Sequence, residues 1–114
     1  MQPDEDLVRL RHMLDAAEEA LEFAVGRTRA DLDADHQLMR AIQKSIEIIG
    51  EAARHVSEPV RVEHPEIAWS EIAGMRNRMV HRYFDVDLDI LWRSVTEELP
   101  PLVATLRSII SGLR

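Results

Sequence analysis

Residues 38–56 read LMRAIQKSIEIIGEAARHV, and apolar side chains recur through this stretch at steps of three and four. That spacing places them on one face of an α-helix and does not fit the two-residue period of a strand. The predicted buried face consists of Leu38, Ala41, Ile42, Ser45, Ile48, Ile49, Ala52 and Val56. The stretch therefore predicts a long amphipathic helix that runs to Ser57.

A second set of apolar residues with the same spacing, which forms a stripe along one face of a helix, runs over residues 4–28 and precedes the long helix. Asp4 can cap its first turn, because a carboxylate accepts hydrogen bonds from free N–H groups at a helix start, and Gly26 lies near its end. Its apolar members are Leu7, Leu10, Leu14, Ala17, Leu21, Ala24 and Val25. We therefore expect a second long helix that pairs with the first.

A third stripe of apolar residues at helical spacing follows the aspartate-containing residues 85–87. It carries Leu88, Leu91, Val95, Leu99, Leu102, Leu106, Ile109 and Leu113. Pro100 and Pro101 interrupt it, and proline is tolerated in the first turn of a helix but not in its interior. The sequence therefore predicts either one kinked helix or two helices that meet at the prolines.

Two segments between these stripes look irregular. Residues 29–35 are polar and rich in aspartate, which predicts a connector whose last residue, Asp35, caps the following helix. Residues 58–68 contain Pro59 and Pro65, and two prolines so close together predict a loop.

Residues 70–84 predict a shorter helix that Ser70 caps. Together the stripes predict an all-α fold, an antiparallel bundle of four or five helices. The length allows one core, so we expect a single domain over residues 1–114.

The charge balance restricts the classes of function. The chain of 114 residues has a formal net charge of -7 and no cysteine. These values argue against a broad basic surface for nucleic acid, a disulfide framework and a thiolate zinc site. The histidines lack the tight spacing of metal ligands, so we expect no metal and no cofactor. Without a leader or a long apolar run, we expect a cytoplasmic protein with no membrane partner.

The segment GMRNRMVHRY, residues 74–83, has polar residues where a helix with a purely structural role would have apolar ones. On a helical wheel with about 100° per residue, Arg76 falls inside the apolar arc and not on the polar side. The arc contains Trp69, Ile72, Met75, Met79, Val80 and Tyr83. Because a guanidinium keeps its charge, Arg76 must find an acceptor, reach solvent or line a polar cavity.

Next to this arc, the small residues Ala73 and Gly74 flank the polar residues Asn77 and His81. Asn77 and His81 are four apart, so a helix brings their side chains into reach of one another. The small residues leave space above them for a ligand or for the backbone of a partner.

The same segment is locally basic. Arg76, Arg78 and Arg82 have no acid among them between Glu71 and Asp85, which predicts a small positive patch on an acidic chain. Arg78 and Arg82 are therefore candidate contacts to RNA, although a solvated helix face is the simpler interpretation of both.

These side chains could support cleavage of RNA without a metal ion. His81 could move a proton to or from a ribose hydroxyl or the leaving oxygen, Arg76 could stabilise charge on the phosphate, and Asn77 could orient either group. One chain offers a single such histidine, so a twofold homodimer would supply a second set. A structural histidine and an arginine paired inside the bundle remain the alternative interpretation.

The spacing Arg76-x4-His81-x-Tyr83 resembles the R-x4-H-x-Y signature of the HEPN (higher eukaryotes and prokaryotes nucleotide-binding) superfamily, specifically the HepT-like ribonuclease toxins. IGEAA before this motif, WSEI directly ahead of it and DVDLDILW after it are also similar to that family. The resemblance covers nearly the whole chain.

The resemblance implies a helical homodimer in which the motifs of two chains meet in a cleft and form a metal-independent endoribonuclease. It implies catalytic roles for Arg76 and His81, a polar role for Asn77, and modification of Tyr83 with AMP by a nucleotidyltransferase antitoxin of the MntA type. The alternative is a non-catalytic helical module that binds a nucleotide or supports the transferase as a substrate-binding partner.

Overall fold

A computed structural model of the chain describes the backbone of residues 3–80 and 85–112, and these residues are almost entirely helical. The helices are α1 (Pro3–Ala24), α2 (Arg29–Ala34), α3 (His36–Arg54), α4 (Glu58–Glu63), α5 (Trp69–Ala73), α6 (Met75–Met79), α7 (Leu88–Arg93) and α8 (Leu99–Gly112). A π-helical turn, Ser94–Glu98, joins α7 to α8. The all-α prediction is confirmed, although the described residues form more and shorter helices than the four or five predicted.

The core lies where α1 packs against α3 and α8, and where α3 also meets α5 and α6. Its fully buried large side chains are Leu10, Met13, Ile42, Ile46, Ile49, Val56, Met75, Met79, Leu91, Val95, Leu99 and Leu106. α3 is buried on two sides, so Ile46 joins the core although the predicted stripe omits it. Ile48, which the stripe includes, is 38% exposed. No helix in the described ranges is long and apolar enough to cross a membrane.

α1 differs from its prediction at both ends. The helix already contains Pro3, so Asp4 lies within it and is not its N-cap. It ends at Ala24, and Val25 is 76% exposed instead of joining the apolar face. The cause is Gly26, whose φ of 73° turns the chain in a conformation that only glycine adopts without strain.

The segment predicted as a connector is the short helix α2. The Thr28 N–H donates to the carboxylate of Asp31 at 2.7 Å, which fixes the first turn. Asp35 does cap α3, since its carboxylate accepts from the Leu38 N–H at 3.0 Å. Arg29 joins α2 to α7 through Asp89, at 2.7 Å, and this hydrogen bond raises the pKa of Arg29 above its ordinary value.

The segment predicted as a loop at residues 58–68 begins with the helix α4. Pro59 stands in its first turn, where no backbone donor is needed, and the helix ends before Pro65. Asp6 of α1 is 3% exposed, and its carboxylate accepts from the Ser57 backbone N–H at 2.8 Å and from the Ser57 hydroxyl at 2.7 Å. A buried carboxylate on α1 therefore holds the start of α4 in place.

The single helix predicted for residues 70–84 is interrupted. Ala68, not Ser70, precedes the first turn of α5, and Gly74 separates α5 from α6. α6 ends at Met79, after which Val80 is extended and forms an isolated antiparallel bridge with Val86. The helical wheel assumed one continuous helix, so its angles do not apply across the break at Gly74 or after Met79.

The interruption predicted at Pro100 and Pro101 takes the form of a π-helical turn. Both prolines lie in the first turn of α8, directly after that turn, and the chain stays helical through the junction. The Leu99 N–H donates to the Ser94 carbonyl, five residues back. The wider turn accommodates the prolines, which cannot donate to carbonyls one turn earlier. Leu113 lies outside the described residues.

Candidate functional site

Arg76 does not face packed surface, contrary to the wheel prediction. Its side chain is exposed, and it makes no ion pair or hydrogen bond with another described residue. α6 is short and buries only the stripe of Met75 and Met79, so Arg76 falls at the edge of that stripe. The alternative interpretation from the sequence, that Arg76 is paired inside the bundle, is therefore wrong.

Arg76 lines a groove of about 360 Å³ between α1, α3, α5 and α6. The permanent cations in its wall are Arg9, Lys44, Arg54 and Arg76, and the carboxylates are Glu47 and Glu51. Four positive charges against two negative ones leave a local excess of two, on a chain whose net charge is -7. His12 lines the same groove. The groove is thus the kind of surface that attracts an anion.

The described residues neutralise only part of this charge. Arg54 donates to the Ala73 carbonyl at 3.3 Å and lies 3.7 Å from Glu51, which also contacts the His55 ring at 3.1 Å. Glu47 accepts from the amide of the buried Gln43 at 3.4 Å. The side chains of Arg9 and Lys44, like that of Arg76, have no hydrogen bond or ion pair with any residue that the structure describes.

Gly50 brings α3 close enough to α5 for these cations to share one groove. A Cβ on Gly50 would lie 3.3 Å from the Ala73 carbonyl oxygen and 3.4 Å from that of Ile72. These are backbone atoms at the end of α5, so they cannot swing aside as a flexible side chain does. The missing side chain at position 50 therefore sets the distance from α3 to the segment that carries Arg76.

Asn77 and Arg78 follow Arg76 but do not line its groove. Asn77 is exposed, and Arg78 pairs with Glu98 at 3.3 Å and reaches the Glu71 carbonyl at 3.5 Å. Arg78 and Glu98 line a different depression. The structure thus gives Arg78 a partner of its own and separates it from Arg76.

His81, Arg82 and Tyr83 lie outside the described residues. The predicted closeness of His81 to Asn77, and of Tyr83 to Arg76, assumed a helix that continues past residue 79. Because α6 ends there and Val80 is extended, helical spacing no longer supports either contact. The structure does show what flanks these residues, since the Asp87 N–H donates to the Met79 carbonyl at 2.6 Å.

Sequence reasoning missed the cations that surround Arg76. Arg9, Lys44 and Arg54 lie far from it along the chain and have the ordinary positions of polar residues on amphipathic helices. Only the packing of α1, α5 and α6 on α3 brings them together. Within residues 3–80 and 85–112, no three His, Asp or Glu side chains are grouped so that they could hold a metal ion.

Comparison with known proteins identifies a family that matches most of the chain. Residues 13–109 match the family described as "Ribonuclease HepT-like". The matched region contains Arg76, Asn77, His81 and Tyr83. It also contains most of the cationic groove, although Arg9 and His12 precede it.

Individual relatives agree with this match. A "putative RNase" of Caldanaerobacter subterraneus subsp. tengcongensis is 37% identical over 101 residues, 89% of this chain and 90% of the relative. A "probable ribonuclease HepT" of Thermococcus cleftensis is 39% identical over 88 residues, 74% of this chain and 80% of the relative. A "putative RNase" of Methanocaldococcus jannaschii is 31% identical over 93 residues, 82% and 85% of the two chains. No solved structure matches the chain.

The close approach at Gly50 generates a prediction about stability. Gly50→Val should lower the free energy of unfolding by about 1–3 kcal/mol, because the added carbons press on the backbone carbonyls at the end of α5. Urea denaturation followed by circular dichroism measures the change. Gly112→Val is the control, since a Cβ at this second helical glycine meets nothing within 4 Å. Equal stability of the two variants would contradict the packing role of Gly50.

Proposed function

The chain belongs to the HepT-like ribonuclease family, and on that premise we propose that it is a metal-independent endoribonuclease whose catalytic residues include Arg76 and His81. The observation that carries this proposal is the environment of Arg76. Its guanidinium is exposed and unpaired among the described residues, in a groove with an excess of positive charge on an acidic chain. An arginine in that setting suits a phosphate ligand better than a structural role.

The proposed step uses the ribose 2′-hydroxyl of the RNA as the nucleophile. Its oxygen attacks the adjacent phosphorus while the bond from phosphorus to the 5′-oxygen breaks, which leaves a 2′,3′-cyclic phosphate and a 5′-hydroxyl. One imidazole accepts the proton of the 2′-hydroxyl, and an acid returns a proton to the leaving oxygen. Arg76 stabilises the charge that builds on the phosphate oxygens, and Asn77 positions the phosphate or the imidazole.

A homodimer supplies the second proton-transfer group in this proposal. Each chain has one His81, five residues after Arg76 in the sequence, and a twofold axis that brings two such segments together doubles both residues. Arg78 and Arg82 are proposed as outer contacts to RNA. For Arg78 this requires exchange of its pairing with Glu98, which is exposed enough for solvent to screen it.

We further propose that the ribonuclease is a cytoplasmic toxin that a nucleotidyltransferase antitoxin silences. The Tyr83 hydroxyl would attack the α-phosphorus of ATP, so that AMP becomes attached to the tyrosine and pyrophosphate leaves. The adduct adds bulk and negative charge two residues from His81. A phosphate attached there competes with the RNA phosphate for nearby cations.

The ribonuclease proposal predicts cleavage of total RNA in the presence of EDTA. Arg76→Ala and His81→Ala should each lower the cleavage rate by about 100-fold or more, because one removes charge stabilisation and the other a proton-transfer group. The measurement is the initial rate of fragment formation on a denaturing gel.

Two controls match these variants. Arg11→Ala removes an exposed arginine of α1, and His36→Ala an exposed histidine of α3, and both should cleave at the rate of the wild-type chain. Equal rates in all five proteins would overturn the proposal. An intact wild-type chain that binds nucleotide and cleaves no RNA would favour the non-catalytic alternative.

The antitoxin proposal predicts a modified tyrosine. Incubation with the nucleotidyltransferase and ATP labelled at the α-phosphate should transfer label to the wild-type chain, and the same treatment should abolish its cleavage of RNA. Tyr83 is the only tyrosine in the chain, so Tyr83→Phe removes the acceptor hydroxyl with little change of shape. Tyr83→Phe should stay unlabelled and active; label retained on this variant would place the modification elsewhere.

A further inference from the structure

We propose that the groove around Arg76 continues into a second groove, and that the two together hold the phosphates of single-stranded RNA on both sides of the cleaved bond. Arg9 and Lys44 would bind the strand on one side, and Arg61 on the other. This inference rests on the proposed ribonuclease function and assigns RNA-binding residues that the R-x4-H motif does not contain.

The two grooves together form a cationic track for the RNA strand, and the cations on its first side come from two different helices. Arg9 is half-buried on α1, whereas Lys44 is exposed on α3, and both line the groove that contains Arg76. Neither side chain has a partner among the described residues, although Glu47 lines the same groove. Unpaired cations held in one groove repel one another, and a polyanion that enters it relieves this repulsion.

The second side is a neighbouring groove of about 390 Å³. It shares Arg54 and Ala73 with the first, so the two grooves adjoin at these residues. Arg61 of α4 lines it, and the Arg61 Nε is buried with no hydrogen-bond partner. Arg61 has no ion pair with another described residue, so its positive charge can attract a phosphate that enters this groove.

Charge favours an RNA strand as the occupant of both grooves. The wall of the first groove has two more permanent positive charges than carboxylates, and Arg61 adds another in the second groove. In the proposed homodimer the two Arg76 segments bring these like charges near one another, and a polyanion bound between them would offset their repulsion. An RNA strand carries one negative charge at each nucleotide and matches the track.

Binding to an RNA that cannot be cleaved tests this inference. The probe is a fluorescent 2′-O-methyl RNA of about 12 nucleotides, whose blocked 2′-oxygen cannot attack phosphorus. Arg9→Gln, Lys44→Gln and Arg61→Gln should each raise the Kd about 3- to 10-fold and lower the slope of log affinity against log salt by about 0.7. Arg61→Lys should bind nearly as the wild-type chain does, because it keeps the charge.

The matched control is Arg11→Gln, which removes the same charge from α1 outside the groove and should change the Kd less than 2-fold by this electrostatic argument. An equal loss for Arg11→Gln, or no loss for Lys44→Gln, would overturn the inference. So would a folded wild-type chain that does not bind the probe at low salt concentration, because the grooves would then be closed to RNA. Since the probe is not cleaved, failure of wild-type cleavage would count against the proposed function alone.

Discussion

The close packing of α3 against the end of α5 is the constraint on which the site depends. Gly50 allows the carbonyls of Ile72 and Ala73 to approach α3, and Arg54 donates a hydrogen bond to the second of them. α6 follows directly after Gly74, so its position is set by this contact. A bulkier residue at position 50 would move the segment that carries Arg76 away from the cations of α1 and α3.

The fold also explains how an acidic chain can present a basic site. The charges that give the chain its value of -7 are spread over many helix surfaces, where several carboxylates are paired with arginines. Three cations whose side chains have no partner among the described residues, Arg9, Lys44 and Arg76, instead share one groove, where helices from different parts of the sequence meet. Net charge therefore describes the binding of RNA in the groove poorly, because a ligand there responds first to the nearest charges.

Much of the fold follows from the spacing of apolar residues. Leu10, Ala17 and the stripe from Leu91 to Ile109 are buried as predicted, whereas Leu14 is only partly buried. The errors occur where local chemistry competes with spacing. One such segment, residues 29–35, is polar, and another, residues 58–63, contains proline, so neither pattern predicts a helix. Tertiary contacts such as that of Asp6 with Ser57 stabilise short helices there.

The candidate site was less accessible to sequence reasoning than the fold. The motif itself can be found in one stretch, and the family match agrees with it. The exposure of Arg76 could not be predicted, because the helical wheel assumed one helix through residue 84. The break at Gly74 and the extended backbone of Val80 depend on tertiary packing. The cations on α1 and α3 gave no signal in the sequence, since only the folded chain brings them to Arg76.

The central claim is that the RNA supplies its own nucleophile at the Arg76 site and that no metal takes part. The chemical ends of the fragments formed in EDTA test this claim most directly, and mass spectrometry of a short cleaved RNA reads them. The account predicts 2′,3′-cyclic phosphate ends, or the 3′-phosphates they hydrolyse to, with 5′-hydroxyl ends. Fragments with 5′-phosphate and 3′-hydroxyl ends would contradict it, because they arise when water attacks phosphorus and the 3′-oxygen leaves.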